Sequence, residues 1–534
     1  MFWRIRSNLS CILVPILFLV FSGAIIEERG GHYFKYVLDP DYTYFMNSHA
    51  LARGRTPRHN DHPGVPVQIV GAVVQRAWHV SVCMKTWATN GGTCASFGDA
   101  VLLNPERILN YTAWTLTLLN SLGLLLLGLF LKKSGIPNLV GWAAQISILA
   151  YGSTASAIGR VWPEGFMIFP SALLAWAFLP HVMRNEKKLG YSPTKHALFQ
   201  GIAIGFGIAN KLTFAPLALS VFLFVRKKTI LICTIGIILG FLVTTSPIWS
   251  RFPYMFDWVL QLSRGRAAET IEVSAWSEML LFLKSEKILI VVGTYICFAI
   301  GFATFTKKKL TNDGAIRFLA VYLAILACTA VMLSKRPNSY YLIPVLASGL
   351  PVLCVVIWRL FSVAPETRKK DLLIPKIAFV VVTGLMFFGP LVSTLQYDFR
   401  LLTQLRKDRI EHEKIPRKYN HCTLIGTYTS SLISYALAYG NSWAHELFNQ
   451  DLRRLYPKFI QFRENGYSGF GNFGLPVSLD SLRKRVRDGE CIFFYGSSGL
   501  GEQPPKSHEK FTLKAKESSG SETLFEILEI QGKH

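Results

Sequence analysis

Apolar segments of membrane-spanning length recur along this chain up to about Gln396 and then stop. A spanning helix needs about 20 predominantly apolar residues. A soluble protein of 534 residues would instead spread its charge through two or three domains. The pattern therefore predicts a polytopic α-helical membrane protein with about 11 spanning helices. The candidate spans are 10–27, 108–131, 136–158, 161–183, 197–210, 211–225, 229–248, 287–305, 315–334, 338–361 and 375–397.

The positive charge of the chain is placed between these apolar segments. The formal net charge is +24, which by itself would suggest a nucleic-acid partner. Short basic runs between spans are instead typical of cytoplasmic loops. These runs are Lys132-Lys133, Arg226-Lys227-Lys228, Lys307-Lys308-Lys309 and Arg368-Lys369-Lys370. We therefore expect no nucleic-acid binding, and we expect a cytoplasmic N-terminus, retained as the first helix, and an extracytoplasmic C-terminus.

Two apolar segments are assigned with the help of this charge rule. The stretch 65–82 is interrupted by Gln68, Gln75, Arg76 and His79, and we interpret it as an interfacial helix on the outer surface. The stretch 197–225 is broken at Asn210-Lys211, so we predict two short helices that meet at an outer apex. Both choices keep the neighbouring basic runs on the cytoplasmic side.

The composition changes near Asp398, where the last apolar segment ends. The stretches "CTLIGTY", "CIFFYGS", "FTLKA" and "LFEILEI" are typical of strands, and "SSLISYALAYG" is typical of an amphipathic helix. We predict a membrane domain over 1–397 and a small extracytoplasmic α/β domain over 398–534.

Four cysteines lie on the predicted outer side. Cys83 and Cys94 share one loop, and Cys422 and Cys491 share the C-terminal region. Disulfides persist in oxidising compartments, so both pairs are candidate bonds, although sequence alone does not fix the pairing. No spacing of cysteine and histidine typical of a metal site is present.

Ionisable and aromatic residues gather on the same predicted face. Because ionisable groups near membrane depth are costly, they are candidates for function. Carboxylates together with cations suit a substrate that has a phosphate and a reacting hydroxyl. The candidate catalytic residues are Asp39 and Asp41, and the candidate substrate-binding residues are His62, Arg160, Glu164, Lys211, Arg264, Arg266, Lys335, Arg336, Tyr340 and Tyr341.

Several of these residues also have a purely structural interpretation. An aspartate at 39 or 41 is a favoured cap for a helix that begins near Tyr42. Arg160 and Glu164 are one helical turn apart, a spacing at which they pair with each other. Lys211 at a helix end can extend its ammonium to the membrane surface, and the tyrosines at 340 and 341 suit an interfacial belt.

The first outer loop resembles that of a known family. "DPDYTYFMNSHALARG" is similar to the first extracytoplasmic loop of GT-C-fold glycosyltransferases, which include protein O-mannosyltransferases and the aminoarabinose transferases of lipid A. "DHPGVPVQ", "RVWPE", "ANKLT" and "KRPNSYYLIP" resemble later positions on the same face, so the likeness spans roughly 10–400 in layout. The family's Asp-Glu pair is Asp-Pro-Asp here, which leaves Asp39 and Asp41 as alternatives for the catalytic position.

The resemblance implies an inverting hexosyl or pentosyl transfer at the outer membrane face. The donor would be a sugar on polyprenyl phosphate, and the acceptor a glycan, lipid or protein. One aspartate would take the acceptor proton, and the cations Lys211, Arg264, Lys335 and Arg336 would stabilise the departing phosphate. No metal or further cofactor is expected. We expect a cell-envelope enzyme of a bacterial inner membrane, with the endoplasmic reticulum as the alternative.

Other classes of function fit this sequence less well. A multi-pass transporter of a lipid-linked or anionic substrate would carry acids near mid-membrane on broken helices and often internal repeats. The clear acids here lie at the predicted outer ends of helices. A scaffold protein would have no need of the acidic first loop, and a diphosphate-dependent oligosaccharide transferase would have a metal cluster and a larger outer domain.

The predicted topology is tested with reporter fusions. A reporter fused after Lys188 should be cytoplasmic and one after Gln396 extracytoplasmic, because the charge rule puts these positions on opposite sides. The measurement is paired alkaline phosphatase and fluorescent-protein activity in intact cells. If both fusions report the same side, the one-sided arrangement of the candidate residues is wrong.

Overall fold

Helices dominate the part of the protein that its structure describes. The computed structural model describes residues 2–34, 41–59, 64–149, 151–183, 192–263, 292–294, 296–297, 314–334, 338–362, 396, 400, 403–404, 406–410, 412–414, 418–419, 421–426, 431–463, 466–469, 476–497, 511–519 and 522–530. The α-helices are α1 (Phe2–Arg29), α2 (Asp41–Ala52), α3 (Val65–Asn90), α4 (Phe97–Leu103), α5 (Pro105–Lys133), α6 (Asn138–Ser147), α7 (Gly152–Ala157), α8 (Ile168–Val182), α9 (Pro193–Asn210), α10 (Lys227–Thr245), α11 (Phe252–Ser263), α12 (Gly314–Ser334), α13 (Ile343–Ser362), α14 (Ile433–Trp443), α15 (Asn449–Leu455) and α16 (Leu479–Arg487).

Five helical segments among the described residues are long and apolar enough to cross a membrane. They are Ser10–Arg29, Pro105–Lys133, Lys227–Gln261, Gly314–Leu333 and Ser339–Arg359. Two shorter apolar helices, Ile168–Val182 and Leu212–Leu223, accompany them. The protein is thus a multi-helix membrane protein. The predicted span 375–397 and most of 287–305 lie outside the described residues.

Two of the predicted spans do not form continuous helices. The stretch 136–158 forms α6 and α7 instead of one helix, and the interruption lies between Ser147 and Gly152. The stretch 161–183 becomes α-helical only at Ile168. Before it lies a tight turn with a short 3₁₀ helix, Glu164–Phe166. This turn carries several of the candidate site residues.

The predicted break in 197–225 is present. Helix α9 ends at Asn210, and a 3₁₀ helix over Leu212–Leu223 follows it. Helices α9 and α10 pack closely through glycines, since a Cβ atom at Gly201 would meet the carbonyl oxygen of Cys233 and one at Gly205 that of Ile237. Small residues allow such close approach between helices in a membrane.

The first loop forms the two helices predicted for it. Helix α2 begins at Asp41, and α3 spans Val65–Asn90. Almost every residue of α2 is buried, including its polar residues, because α3 packs on one side and α14 on the other. A helix that is buried on all sides has no amphipathic pattern, which explains why its sequence mixes aromatic and polar residues.

The described residues of the C-terminal region form a sheet of seven strands. They are β1 (Thr423–Gly426), β2 (Ile460–Arg463), β3 (Gly466–Gly469), β4 (Pro476–Val477), β5 (Ile492–Ser497), β6 (Phe511–Ser519) and β7 (Glu522–Ile530), in the spatial order β4-β3-β2-β1-β5-β7-β6. Strand β1 runs parallel to β2 and β5, and the other pairs are antiparallel. Parallel neighbours need a crossover connection, which α14 and α15 provide between β1 and β2.

The strands expected at "CTLIGTY", "CIFFYGS", "FTLKA" and "LFEILEI" and the helix in "SSLISYALAYG" are present. Strands β2, β3 and β4 and helices α15 and α16 were not expected from the sequence. Both candidate disulfides are formed, Cys83–Cys94 and Cys422–Cys491. The second bond joins the residues that precede β1 and β5, the central parallel pair.

The C-terminal region packs directly on the first loop. Helix α14 contacts α2 so closely that a Cβ atom at Gly440 would meet the carbonyl oxygen of Tyr42. Arg53 pairs with Asp451 at 2.7 Å, and the Tyr456 hydroxyl donates to the carbonyl of Leu102 at 2.9 Å. The C-terminal region is therefore part of the enclosure around α2.

The close approach at Gly440 gives a stability prediction. The substitution Gly440→Ala should lower the midpoint of thermal unfolding, since the methyl group overlaps Tyr42 and approaches Met46 Cγ at 3.0 Å. Overpacking of this kind costs roughly 1–3 kcal/mol. The matched control is Gly141→Ala in α6, where a Cβ meets nothing within 4 Å. Differential scanning fluorimetry should show Gly141→Ala unchanged or stabilised by helix propensity. Equal midpoints for both variants would contradict the packing of α14 on α2.

Candidate active site

The carboxylate of Asp41 is buried at the first residue of α2, and both of its oxygens are engaged. Its Oδ2 lies 2.7 Å from Nδ1 of His32, and its Oδ1 accepts the backbone N–H of Val161 at 2.6 Å. Burial raises the pKa of Asp41, but His32, with Arg160 and Arg29, lowers it below the ordinary value. Asp41 is therefore a carboxylate at neutral pH, held between the end of α1 and the turn before α8.

Glu106 holds the other side of His32 in place. It lies in the first turn of α5 and accepts the backbone N–H of His32 at 2.6 Å and that of Tyr33 at 3.0 Å. The hydroxyl of Tyr42 donates to the same carboxylate at 2.6 Å. Three donors thus converge on Glu106, which links α1, α2 and α5. Neither His32 nor Glu106 was predicted from the sequence, although Pro105-Glu106 at the start of a predicted span was a detectable helix N-terminus.

The turn over 160–167 carries Arg160 and Trp162 into the same region. The guanidinium of Arg160 lies 4.9 Å from the ring centroid of Trp162, and that ring lies 5.2 Å from the ring of Tyr340. A Cβ atom at Gly165 would meet the carbonyl oxygens of Arg160 and Ala157 at 2.7 and 2.8 Å. The turn closes this tightly only with glycine at 165.

Glu164 and Lys211 form a buried ion pair. Their side chains are 5% and 3% exposed, and Lys211 Nζ contacts Glu164 Oε1 directly. Lys211 Nζ also lies 4.8 Å from the ring centroid of Tyr341. The alternative in which Glu164 and Arg160 pair along one helical turn does not hold, because 160–163 is not helical and Glu164 pairs with Lys211.

The apex at Asn210 is fixed to the same turn. Asn210 Nδ2 donates to the carbonyl of Pro163 at 2.9 Å, and the carbonyl of Asn210 accepts the N–H of Gly64 at 3.1 Å. The break between α9 and the following 3₁₀ helix therefore joins the turn before α8 to the start of α3. This connection brings the "RVWPE" and "ANKLT" segments together.

A cavity of about 1100 Å³ adjoins the Asp41–His32 pair. It lies between the end of α1 and the start of α5. Leu19, Val20 and Trp114 form an apolar part of its wall, and Glu27, His32 and Arg107 form a polar part. His32 lines the cavity, whereas Asp41 stands behind the imidazole. The arrangement suits a ligand with a hydrocarbon part and a polar head group.

Six of the candidate residues can be located in the structure. Asp41, Arg160, Glu164, Lys211, Tyr340 and Tyr341 all lie around the turn over 160–167, through the contacts given above. Asp39, His62, Arg264, Arg266, Lys335 and Arg336 lie outside the described residues. Among the residues that are described, two groups bring metal-ligating atoms together, around Cys83–Cys94 with His79 and around Cys422–Cys491 with His421. In both groups the two sulfurs are bonded to each other.

Comparisons with known proteins gave matches among solved structures only. The chain matches no protein-family model, and no curated protein sequence matches it. It is similar to ArnT from Cupriavidus metallidurans bound to undecaprenyl phosphate, with a TM-score of 0.47, 11% identity and coverage of 97% of this chain and 99% of that chain. The apo state of the same protein gives a TM-score of 0.46 at 11% identity, with the same coverage. These neighbours are aminoarabinose transferases of the GT-C fold, the class that the first loop resembles. Because the scores and the identity are low, we carry no residue role over from them.

The ion pair between Glu164 and Lys211 gives the next prediction. Lys211→Met should destabilise the protein by about 3–5 kcal/mol, because it leaves Glu164 charged and buried without a counterion. The double substitution Glu164→Leu with Lys211→Met should recover most of that loss. Asp480→Asn is the control, since the Asp480 side chain is 85% exposed and a surface ion pair such as the one it forms with Arg483 is worth at most about 1 kcal/mol. The midpoint of thermal unfolding is measured for the unsubstituted protein and for the three variants. A double variant as unstable as Lys211→Met alone would show that the two charges do not compensate each other.

Proposed function

We propose that this protein is an inverting glycosyltransferase that moves a sugar from polyprenyl phosphate to an acceptor hydroxyl at the outer membrane face. The observation that carries the proposal is the buried Asp41–His32 pair in the wall of a cavity that is apolar on one side and polar on the other. A lipid-linked sugar likewise has an apolar hydrocarbon chain and a polar head group. The motifs of the first loop, which resemble those of GT-C-fold transferases, support the same class.

The proposed chemistry follows from the positions of His32, which lines the cavity, and Asp41, which lies behind it. His32 reaches the cavity, so its imidazole takes the proton of the acceptor hydroxyl. Asp41 is ionised, holds the ring at Nδ1 and stabilises the imidazolium that forms, as a carboxylate behind a histidine does in other enzymes. The acceptor oxygen then bonds to the anomeric carbon on the face opposite the phosphate, and the bond from that carbon to the phosphate oxygen breaks. Polyprenyl phosphate leaves with the bonding electrons.

The departing phosphate needs positive charge. Arg160 lies close enough to lower the pKa of Asp41 and stacks on Trp162, so we assign it to the phosphate site. Lys211 is already paired with Glu164. We propose that it mainly stabilises the turn over 160–167 and contributes less positive charge to the phosphate site than Arg160 does. His62, Arg264, Arg266, Lys335 and Arg336 complete the proposed phosphate site together with Tyr340 and Tyr341. The step uses no metal, because a monophosphate surrounded by cations is a sufficient leaving group.

The proposed sidedness is supported by contacts between distant parts of the chain. Both disulfides lie in regions that touch each other, since Arg454 pairs with Asp99 in α4 and Tyr456 contacts Leu102. Disulfides indicate an oxidising compartment, whereas Lys132 and Lys133 lie at the far end of α5. We propose an extracytoplasmic site and C-terminal region over 398–534, a membrane domain over 1–397, and a bacterial inner membrane as the location. The sugar and the acceptor are not assigned.

A transporter is not favoured. In transporters the ion-binding acids lie near mid-membrane on broken helices. Among the described acids of the site, Asp41 is the first residue of α2 and Glu106 lies in the first turn of α5. Both lie at helix ends, which suits acids that face the phosphate of a lipid-linked donor at the membrane surface.

Two substitutions test the proposed reaction. Asp41→Asn and His32→Gln should each lower turnover by about 10²–10⁴-fold, the usual contribution of a general base, while donor binding changes little. The assay follows transfer from radiolabelled polyprenyl-phosphate sugars to membrane acceptors, and thermal unfolding checks that each variant is folded. His421→Gln, an exposed histidine in the C-terminal region, is the control and should keep full activity.

The two variants also separate the two roles. If His32→Gln is active and Asp41→Asn is inactive, Asp41 takes the proton directly. If both remain active, the proposed mechanism is wrong.

A further inference from the structure

A second cavity, of about 300 Å³, lies away from the Asp41–His32 pair. Three parts of the chain line it: the segment after α2, the start of α11 and the end of α14. Its described lining residues are Arg58, His59, Tyr254, Ser442, Trp443 and His445, and none of them lines the larger cavity. Nothing in the proposed transfer reaction uses these residues.

The charge around this cavity is positive. Arg58 lines it with a fixed positive charge, and the guanidinium of Arg251 stands 5.2 Å from the ring of Tyr254, which also lines it. His445 lines it as a polar group without a fixed charge, because burial lowers the pKa of His445 and the neighbouring Arg251, Arg58 and His59 lower it further. No acidic residue is among the described lining residues, and the Glu446 carboxylate next to them accepts a hydrogen bond from Asn449 Nδ2 at 3.1 Å. The cavity therefore favours an anion.

Hydrogen bonds hold the backbone of Arg58 and His59 in place. The backbone N–H groups of Arg58 and His59 both donate to Asn47 Oδ1, at 2.7 and 2.9 Å. The carbonyl of His59 accepts from Gln68 Nε2 at 2.8 Å. Among the described residues, Nε of Arg58 is buried and meets no hydrogen-bond acceptor. A buried donor without an acceptor is unusual, and the guanidinium is therefore available to turn toward an anion in the cavity.

The backbone at the edge of the cavity is in an uncommon conformation. His445 and Glu446 have φ angles of 50° and 61°, the left-handed region that glycine adopts easily and other residues rarely. The turn is fixed by hydrogen bonds from the N–H of His445 to the Ser442 carbonyl and from the N–H of Glu446 to the Asn441 carbonyl, at 3.0 and 2.8 Å. Strain of this kind clusters at ligand sites. A histidine at 445 costs stability that a glycine would not, and its ring lines the cavity.

Aromatic rings complete the cavity. The ring of Trp443 lies 5.0 Å from the ring of His59 in an edge-on arrangement, and both Trp443 and Tyr254 are partly exposed. The volume is at the small end of the range for ligand pockets, about 300–1000 Å³, and suits one monosaccharide unit. Aromatic faces and edges provide the apolar surface on which a sugar ring packs, and the cations provide the charge.

We propose that this cavity binds one anionic sugar unit, a monosaccharide carrying a phosphate or a carboxylate. Arg58 binds the anionic group through its guanidinium, His445 contributes a second polar contact, and Trp443 packs on the ring. Two sources would present this chemistry at a membrane surface: the head group of a lipid-linked donor, and an acidic sugar of the acceptor. The binding site does not depend on the transfer reaction proposed above.

The test uses the full-length protein in nanodiscs and ligand-observed NMR. The probes are glucose 1-phosphate and glucuronate, with glucose as the neutral comparison. Both anions should bind and glucose should bind at least tenfold more weakly. Arg58→Gln should weaken anion binding by tenfold or more, since a charge-assisted hydrogen bond is lost. Arg453→Gln, an exposed arginine on α15, is the matched control and should leave binding unchanged.

His445→Gly separates binding from folding. Glycine relieves the strained backbone, so the thermal midpoint should stay the same or rise while anion binding falls several-fold. The proposal is overturned if glucose binds as well as the anions, or if Arg58→Gln and His445→Gly bind them as the unsubstituted protein does. Loss of binding in Arg453→Gln equal to that in Arg58→Gln would also overturn it, since general surface charge would then explain the effect.

A competition experiment distinguishes the two sources. If undecaprenyl phosphate in the nanodisc displaces glucose 1-phosphate, the site receives the lipid head group. If it does not displace the probe while the variants still lose binding, the site receives an acidic acceptor sugar. These measurements need no turnover, so a failure of the Asp41 mechanism leaves their outcome unaffected.

Discussion

The carboxylate of Asp41 is the constraint on which the surrounding structure depends. Removing an ionised group from water costs several kcal/mol unless charges and hydrogen bonds replace the water. Here the replacement comes from His32 after α1 and from the backbone N–H of Val161 in the turn before α8. Glu106 in turn fixes His32, and so α5 is joined to the same cluster. The positions of α1, α2, α5 and the turn over 160–167 are therefore coupled through one charge.

Features that depend on neighbouring residues in the chain could be predicted from the sequence. Apolar length identified α1, α5, α12 and α13, and the polar pair Asn210-Lys211 identified the break after α9. Short runs of β-branched and aromatic residues identified β1 and β5. In each case the signal lies within one element, so no knowledge of packing was needed. The aspartate at the start of α2 was found in the same way, as a polar residue beside an apolar span.

Hydrogen bonds and ion pairs between distant segments could not be predicted. Pairing of Glu164 with Arg160, four residues away, was one of two interpretations of the sequence, but Glu164 pairs with Lys211, which is 47 residues away. Glu106 bonds to residues 64, 73 and 74 positions from it. Local periodicity carries no information on such pairs, since they arise only when the helices have packed. The division of the helix over 136–158 was not predicted either, because apolar length alone does not reveal where a helix is interrupted.

The burial of α2 between α3 and α14 also has a consequence for biosynthesis. Its residues emerge from the ribosome early, yet one side of the helix is covered by Ile433–Trp443, some four hundred residues later. A nascent chain therefore exposes the apolar and polar surface of α2 throughout most of translation. The enclosure around Asp41 forms only when the C-terminal region has been made and has docked. Premature termination yields a membrane-inserted but unfinished protein, which quality-control proteases can recognise by its uncovered first loop.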